Sequence, residues 1–303
     1  MSYVYDLLNL VYDVCIGNRD LRKERKWGMT LKENVLMEKL IKIESNNYIL
    51  ENEENYFTIA SEMMENIGSL NPKLRDKLIY GTLASWIPEN RFTYEQLENL
   101  LSTSLDRSHL FYKISEEDED SVFKRTFSVL IVALIIYVDR KENFLSKEIL
   151  FEVKDRIIEY MLEERDLRGY VEGKGWAHSV AHAADVLDEL VQCSCFNKND
   201  LIDILNCIKA KVCIGYYVYI DEESERMVTV VESLFNRKII NDSEIVDWLQ
   251  GFKIKNPKDS YIYNYHLKVN IKGFIRSLYF RLLEKDSSNF IIKEIKKFLT
   301  IYN

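Results

Sequence analysis

The chain has 303 residues, a formal net charge of −8 and a pI near 5.3. Hydrophobic residues make up 47% of it, which is enough for a large core and excludes intrinsic disorder. An acidic surface repels phosphate backbones, so we expect no nucleic-acid partner. One basic run, Arg19–Lys26, is interpreted as a solvated connector between helices.

The scarcity of turn-forming residues predicts an all-α fold. Only 3 prolines and 10 glycines interrupt the chain, whereas a sheet-rich protein of this length needs many more. The 19 tyrosines and 14 phenylalanines are interpreted as core and inter-helix packing rather than as a binding site.

Three features predict a cytoplasmic protein that makes no membrane contact. Met1–Leu10 lacks a basic leader and a small-residue cleavage site, so we expect no secretory signal. The longest apolar run, Val129–Val138, is about half as long as a bilayer crossing requires. Five cysteines without a CxxC pair favour free thiols in a reducing compartment over a zinc knuckle.

Capping signals divide the chain into helices. Thr30 with Glu33, and Thr93 with Gln96, have the spacing of capping boxes, in which the two side chains each satisfy a free backbone donor at the helix start. Residues 120–139 are apolar on nearly every side and predict a central helix. Other helices are predicted at about 71–86, after a cap at Ser146, and at about 176–192, 200–213, 222–236, 243–251, 265–284 and 288–301.

Short loops between these helices predict stacked antiparallel helix hairpins. The chain has no repeat of about 33 or 34 residues, which excludes ankyrin and tetratricopeptide arrays. We therefore expect a single domain, residues 1–303, built as an α-α superhelix of the HEAT or armadillo kind, with an α/α toroid as the alternative. An acidic loop within residues 106–121 is the candidate seam.

The segment 165–190 carries the most distinctive chemistry. Glycines precede a predicted helix that contains two of the four histidines. At about 100° per residue, His178, His182, Asp185 and Glu189 fall on one stripe of that helix. A solvated helix face ordinarily shows lysine and glutamate instead, so the stripe is a candidate site that we expect to face a groove or the interior.

Three interpretations of the stripe remain open. Histidines four residues apart can share a metal ion, so His178, His182 and Asp185 are candidate metal ligands. The same residues suit a buried polar network, or a metal-free pocket in which His182 beside Asp185 acts as an oriented base. Trp176, Lys174 and Glu172 complete the candidate pocket, with Glu172 as the nearest extra carboxylate.

The turn Gly173-Lys174-Gly175 forms a second candidate site. Free N–H groups at a helix start, beside a lysine, favour an anion. The turn is not a Walker loop, because the GxxxxGK[ST] pattern is absent and no strand is predicted before it. Close backbone packing is the alternative interpretation of these glycines.

The central segment RGYVEGKGWAHSVAHAADVLDEL, which starts at Arg168, resembles the motif of a bacterial family known only as a domain of unknown function. The resemblance extends to DSVFKRTFS from Asp120, to DEESERM from Asp221 and to IRSLYF from Ile275, and covers about residues 70–285. It implies a compact helical bacterial protein and assigns no activity to any residue.

Three functions follow from these patterns. The predicted architecture favours a helical-repeat scaffold that binds a protein or peptide partner and needs no cofactor. The stripe favours an enzyme or a metalloprotein with a divalent metal. The glycine turn favours a small-molecule or anion-binding protein. The sequence leaves the ligand, the partner and the oligomeric state open.

Overall fold

A computed structural model of the protein describes residues 29–51, 55–114, 120–254, 258–285 and 290–301. About 69% of the described residues are helical, and they contain only two strands of two residues each. The prediction of an all-α protein is therefore confirmed. The predictions for Met1–Leu10, for Arg19–Lys26 and for 115–119 of the acidic loop fall outside the described residues.

The described residues contain twelve α-helices. They are, in chain order, α1 (Leu31–Ser45), α2 (Tyr56–Glu65), α3 (Gly81–Trp86), α4 (Tyr94–Leu105), α5 (Ser121–Glu142), α6 (Lys147–Glu163), α7 (Ser179–Val191), α8 (Lys198–Val212), α9 (Glu223–Asn236), α10 (Asp242–Gln250), α11 (Tyr261–Lys285) and α12 (Phe290–Ile301). The strands β1 (Tyr170–Val171) and β2 (Gly175–Trp176) lie between α6 and α7.

Both predicted capping boxes form. The Glu33 N–H donates to the Thr30 hydroxyl at 3.1 Å, and the Thr30 N–H donates to the Glu33 carboxylate at 2.8 Å. The Gln96 N–H donates to the Thr93 hydroxyl at 3.2 Å, and the Thr93 N–H donates to the Gln96 side chain at 3.0 Å. These local signals placed the starts of α1 and α4 correctly.

The helix predicted for residues 71–86 is less regular than expected. The Asn71 side chain caps it by accepting hydrogen bonds from the N–H groups of Lys73 and Leu74, at 2.9 and 3.2 Å. A π-helical segment, Lys73–Tyr80, comes first and continues into α3. The segment carries Arg75, whose side chain is fully buried.

Helix α5 contains residues 121–139 of the central helix predicted for 120–139, and nearly all of these residues are buried. Its length and composition would suffice to cross a membrane, but 89% of its most apolar window is buried inside the protein. Burial of this kind is typical of the core helix of a globular fold.

Close contacts divide the chain into two compact units. The first unit contains the described residues up to Phe144 together with Arg168–His178, and its π-helical segment packs against α1, α3 and α5. The second unit contains Leu145–Leu167 and the described residues from Ser179 onward, and within it α9 packs against α7 and α11. The described residues of the candidate seam belong to the first unit, and both the single domain and the HEAT-like superhelix stay predictions.

Candidate functional site

The glycine turn of the first unit is the tip of a β-hairpin. Strands β1 and β2 pair antiparallel, with Tyr170 opposite Trp176 and Val171 opposite Gly175. Gly173 and Gly175 have φ angles of 75° and 82°, in the left-handed region that glycine adopts without strain. The expectation that this turn directly starts a helix is wrong, because β2, Ala177 and His178 intervene before α7 begins.

Arg75 fastens the hairpin to the π-helical segment. Its guanidinium donates to the Lys174 carbonyl at 2.6 Å and to the Ser69 carbonyl at 2.8 Å, and its Nε lies 2.7 Å from the Asp76 carboxylate. A Cβ at Gly175 would lie 2.9 Å from Asp76 Oδ2 and 3.1 Å from Arg75 Nη2, so glycine is required there for close approach. Close backbone packing, the alternative interpretation of the glycines, is confirmed at Gly175.

The Arg75–Asp76 pair lies in an apolar setting. The guanidinium carbon is 4.2 Å from the centre of the Phe123 ring and 4.7 Å from that of Phe127. Burial raises the pKa of Asp76 to about 6, and the adjacent guanidinium limits that rise. This buried charge is therefore held by its neighbours and serves to fix the hairpin.

The lysine of the turn already has an anionic partner. The Lys174 ammonium donates to both carboxylate oxygens of Asp120, at 2.6 and 2.7 Å. An anion at Gly173, Lys174 and Gly175 would have to compete with that carboxylate. Glu172, at the tip, is exposed. The anion site stays a prediction, and the geometry of the turn gives it no support.

Trp176 and His178 end the hairpin as a tilted pair of rings. Their ring centres are 4.3 Å apart, and the His178 N–H donates to the Arg168 carbonyl at 3.0 Å. His178 has a φ of 50° and precedes α7, which begins at Ser179. The prediction that His178 and His182 lie on one face of a single helix is therefore wrong, because His178 precedes that helix.

The remaining stripe residues lie in the second unit, on a helix that is buried on every side. His182, Asp185 and Glu189 are 2, 7 and 6% exposed, and His178 is 7% exposed. The expectation that the stripe avoids open solvent is thus confirmed. The expected polar face of α7 is as buried as its apolar face. The metal set of His178, His182 and Asp185 is divided between the two units and stays a prediction.

Asp185 pairs with a cation from α9. The Arg226 guanidinium donates to Asp185 Oδ1 at 2.6 Å. Burial raises the pKa of Asp185, and the guanidinium opposes that rise. A buried, paired carboxylate of this kind supports the interpretation of the stripe as a polar network more than the interpretation in which Asp185 orients a catalytic base.

A buried cation of this unit lies at the end of α8. The Lys211 ammonium is 2% exposed and donates to the Glu164 carbonyl at 2.6 Å, and burial lowers the pKa of Lys211 to about 8. The Lys211 carbonyl in turn accepts a hydrogen bond from the Tyr219 hydroxyl at 2.9 Å. Tyr219 belongs to the loop 214–222, which joins α8 to α9.

That loop is held against α11 by one buried side chain. The Asn270 amide donates to the carbonyls of Ile214 and Tyr217, at 3.0 and 2.8 Å, and accepts a hydrogen bond from the Tyr219 N–H at 3.2 Å. At Gly215 the loop passes so close to α11 that an added Cβ would lie 2.2 Å from the Tyr263 carbonyl oxygen. The loop backbone is therefore fixed at several points.

Exposed aromatic and aliphatic side chains lie at the start of α11 and in this loop. Tyr261, Ile262 and Tyr265 are 77, 57 and 54% exposed at the start of α11, and Tyr216 of the loop is 41% exposed. The rings of Tyr261 and Tyr265 stack with their centres 6.3 Å apart. We call these four residues the tyrosine surface. Sequence reasoning missed it, because it interpreted the tyrosines as packing residues.

Comparison with known proteins identifies the family. The model of a family described as "Protein of unknown function (DUF2785)" matches residues 110–280, more than half of the chain. The curated proteins and the solved structures give no match. The chain belongs to the DUF2785 family, which confirms the resemblance to a family of unknown function.

Proposed function

We propose that this DUF2785 member is a cytoplasmic binding protein whose tyrosine surface holds a peptide segment of a partner protein. The observation that supports the proposal is the exposure of Tyr261, Ile262 and Tyr265 within about one turn of α11. Grouped apolar side chains of this size are typical of interaction sites. The proposal does not depend on a HEAT-like superhelix.

Charges beside the tyrosines indicate what kind of peptide fits. The Arg165 guanidinium lies 4.7 Å from the centre of the Tyr216 ring, and the Lys258 ammonium lies 4.0 Å from that of Tyr263. Arg165 thus contacts one member of the tyrosine surface, and Lys258 lies three positions before α11, in a chain whose net charge is −8. Such a surface favours a segment that combines large apolar side chains with Asp or Glu.

The fixed backbone favours binding as well. Asn270 holds the loop 214–222 at three backbone groups, so the loop loses little freedom when a partner binds. Preorganisation of this kind lowers the entropic cost of association. The tyrosines add rigid contact area, because each has only two side-chain torsions to immobilise.

The thiols are the reason for proposing the cytoplasm. All four described cysteines are free, and burial raises the pKa of Cys207 to about 12 and that of Cys213 to about 11. Thiols with such values stay protonated and unreactive, as suits a reducing compartment. Fractionation of cells that produce the protein tests this, and recovery of disulfide-linked chains outside the cytoplasm would contradict it.

Selection from a random peptide library on the immobilised protein tests the proposed binding. We expect enrichment of peptides with aromatic or aliphatic residues next to Asp or Glu. Their affinity, measured by fluorescence anisotropy, should fall by about tenfold or more in a Tyr261→Ser/Tyr265→Ser double variant. Phe280→Ser is the matched control, because Phe280 is an aromatic residue of the same helix that is 60% exposed.

Two results would overturn the proposal. One is the absence of any enriched peptide on the folded parent protein. The other is an enriched peptide that binds the double variant as tightly as it binds the parent. Circular dichroism of each variant confirms that a loss of affinity is not a loss of fold.

A further inference from the structure

The entry to α9 brings two carboxylates together. Glu222 has a φ of 65°, a left-handed conformation that is uncommon outside glycine. On either side of it, Asp221 and Glu223 each place a carboxylate oxygen within 4.8 Å of the other. Two oxygens that bind one Ca²⁺ ion at about 2.3–2.6 Å each can be this far apart.

Glu223 has binding capacity that the described residues leave unused. Its side chain is 1% exposed, and one carboxylate oxygen, Oε2, accepts the Asp221 N–H at 3.0 Å. The other oxygen, Oε1, is buried and has no hydrogen-bond donor among the described residues. A buried carboxylate oxygen without a partner is unfavourable, so a bound cation would stabilise it.

The surroundings of Glu223 agree with a cation site. Two carboxylates this close repel each other, and a positive ion between them would oppose that repulsion. Asp221 is partly exposed, which leaves one side of the pair open to water.

We propose that Asp221 and Glu223 bind a hard divalent cation of the Ca²⁺ or Mn²⁺ class at the start of α9. Carboxylate oxygens are the ligands that such ions prefer, and waters or backbone carbonyls ordinarily complete their coordination. The site differs from the set His178, His182 and Asp185 inferred from the sequence. It is also independent of peptide binding at the tyrosine surface, so either proposal can fail alone.

Isothermal titration of chelator-treated full-length protein with CaCl₂, MnCl₂ and ZnCl₂ tests the site. We expect Ca²⁺ or Mn²⁺ to bind with one ion per chain and to raise the melting temperature. Glu223→Gln and Asp221→Asn should each weaken binding by about tenfold or more, because each removes a charged ligand. Glu222→Gln, which removes an exposed neighbouring charge, should leave the affinity unchanged within about twofold.

Each other outcome counts against the site. Failure of both ions to bind below about 1 mM would overturn it, because even weak calcium modules bind in that range. Equal affinity in Glu223→Gln and the parent would assign the ion elsewhere, and preference for Zn²⁺ would overturn the hard-cation class. Should Glu223→Gln fail to fold, Asp221→Asn decides the matter, since Asp221 is partly exposed.

Discussion

The hairpin of the first unit and the loop 214–222 of the second are both irregular segments held by one buried polar side chain. Arg75 holds the hairpin and Asn270 holds the loop. In the hairpin, the side chains themselves are also engaged, as in the Lys174–Asp120 ion pair. In the loop, Tyr216 and Ile220 stay exposed. The difference indicates that an unusual group of glycine and charged residues, as in the hairpin, can serve only to hold the fold together. A fixed backbone with exposed side chains, as in the loop, is suited to binding a partner.

Removing the two anchoring side chains should give the largest effects. Arg75→Met should lower the free energy of unfolding by about 3–5 kcal/mol, because it leaves the Asp76 carboxylate and two carbonyls without their buried cation. Asn270→Ala, with three neutral hydrogen bonds lost, should cost about 1–3 kcal/mol. Urea denaturation measures both.

The pH dependence of the Arg75 effect sharpens this prediction. Burial already brings the pKa of Asp76 to about 6 in the parent, so the carboxyl of the variant should be neutral at pH 5. The cost of Arg75→Met should therefore be smaller at pH 5 than at pH 8. A cost below that of Asn270→Ala at pH 8 would contradict the account of the hairpin.

The second prediction compares two glycines. Gly175→Ala should destabilise the protein by about 2 kcal/mol or more, because the new Cβ meets Asp76 and Arg75 and the backbone is left-handed. Gly273→Ala should instead stabilise α11 by about 0.5–1 kcal/mol, since nothing lies within 4 Å of its Cβ. Equal effects in thermal unfolding would show that the hairpin does not require close approach.

The smallest effect concerns the buried amine beneath the loop. Burial lowers the pKa of Lys211 to about 8 in the folded protein, from the ordinary lysine value of 10.5. The unfolded chain therefore binds more protons between these pH values, and this group's contribution to stability rises with pH there. From pH 7.5 to 9.5 the parent should gain about 1–2 kcal/mol relative to Lys211→Met. If the stability difference between the parent and Lys211→Met stays constant or falls with pH, burial does not lower the pKa of Lys211.

Local signals made much of the fold predictable. The hydroxyls of Thr30 and Thr93 mark helix starts because they act on donors three residues away. The burial of α5 was predictable as well, because its apolar residues form one continuous run in the sequence. The left-handed His178 escaped prediction, because it follows a β-hairpin that was not predicted, and its N–H donates to the Arg168 carbonyl on the other side of that hairpin.

The tyrosine surface could not be inferred from periodicity. Tyr261 and Ile262 precede the helix predicted for residues 265–284, so no helical face was assigned to them. Whether a helix face is covered depends on packing between helices, which residue spacing does not encode. The pairing of Asp185 with Arg226 across 41 positions is non-local in the same way.

Hydrogen exchange of backbone amides, with and without a selected peptide, tests the contrast between the two segments most directly. We expect the peptide to slow exchange in the loop 214–222 and in the first turns of α11, and to leave residues 168–178 of the hairpin unchanged. Slower exchange confined to the hairpin would contradict the account, because it would place the partner on the segment that we regard as structural.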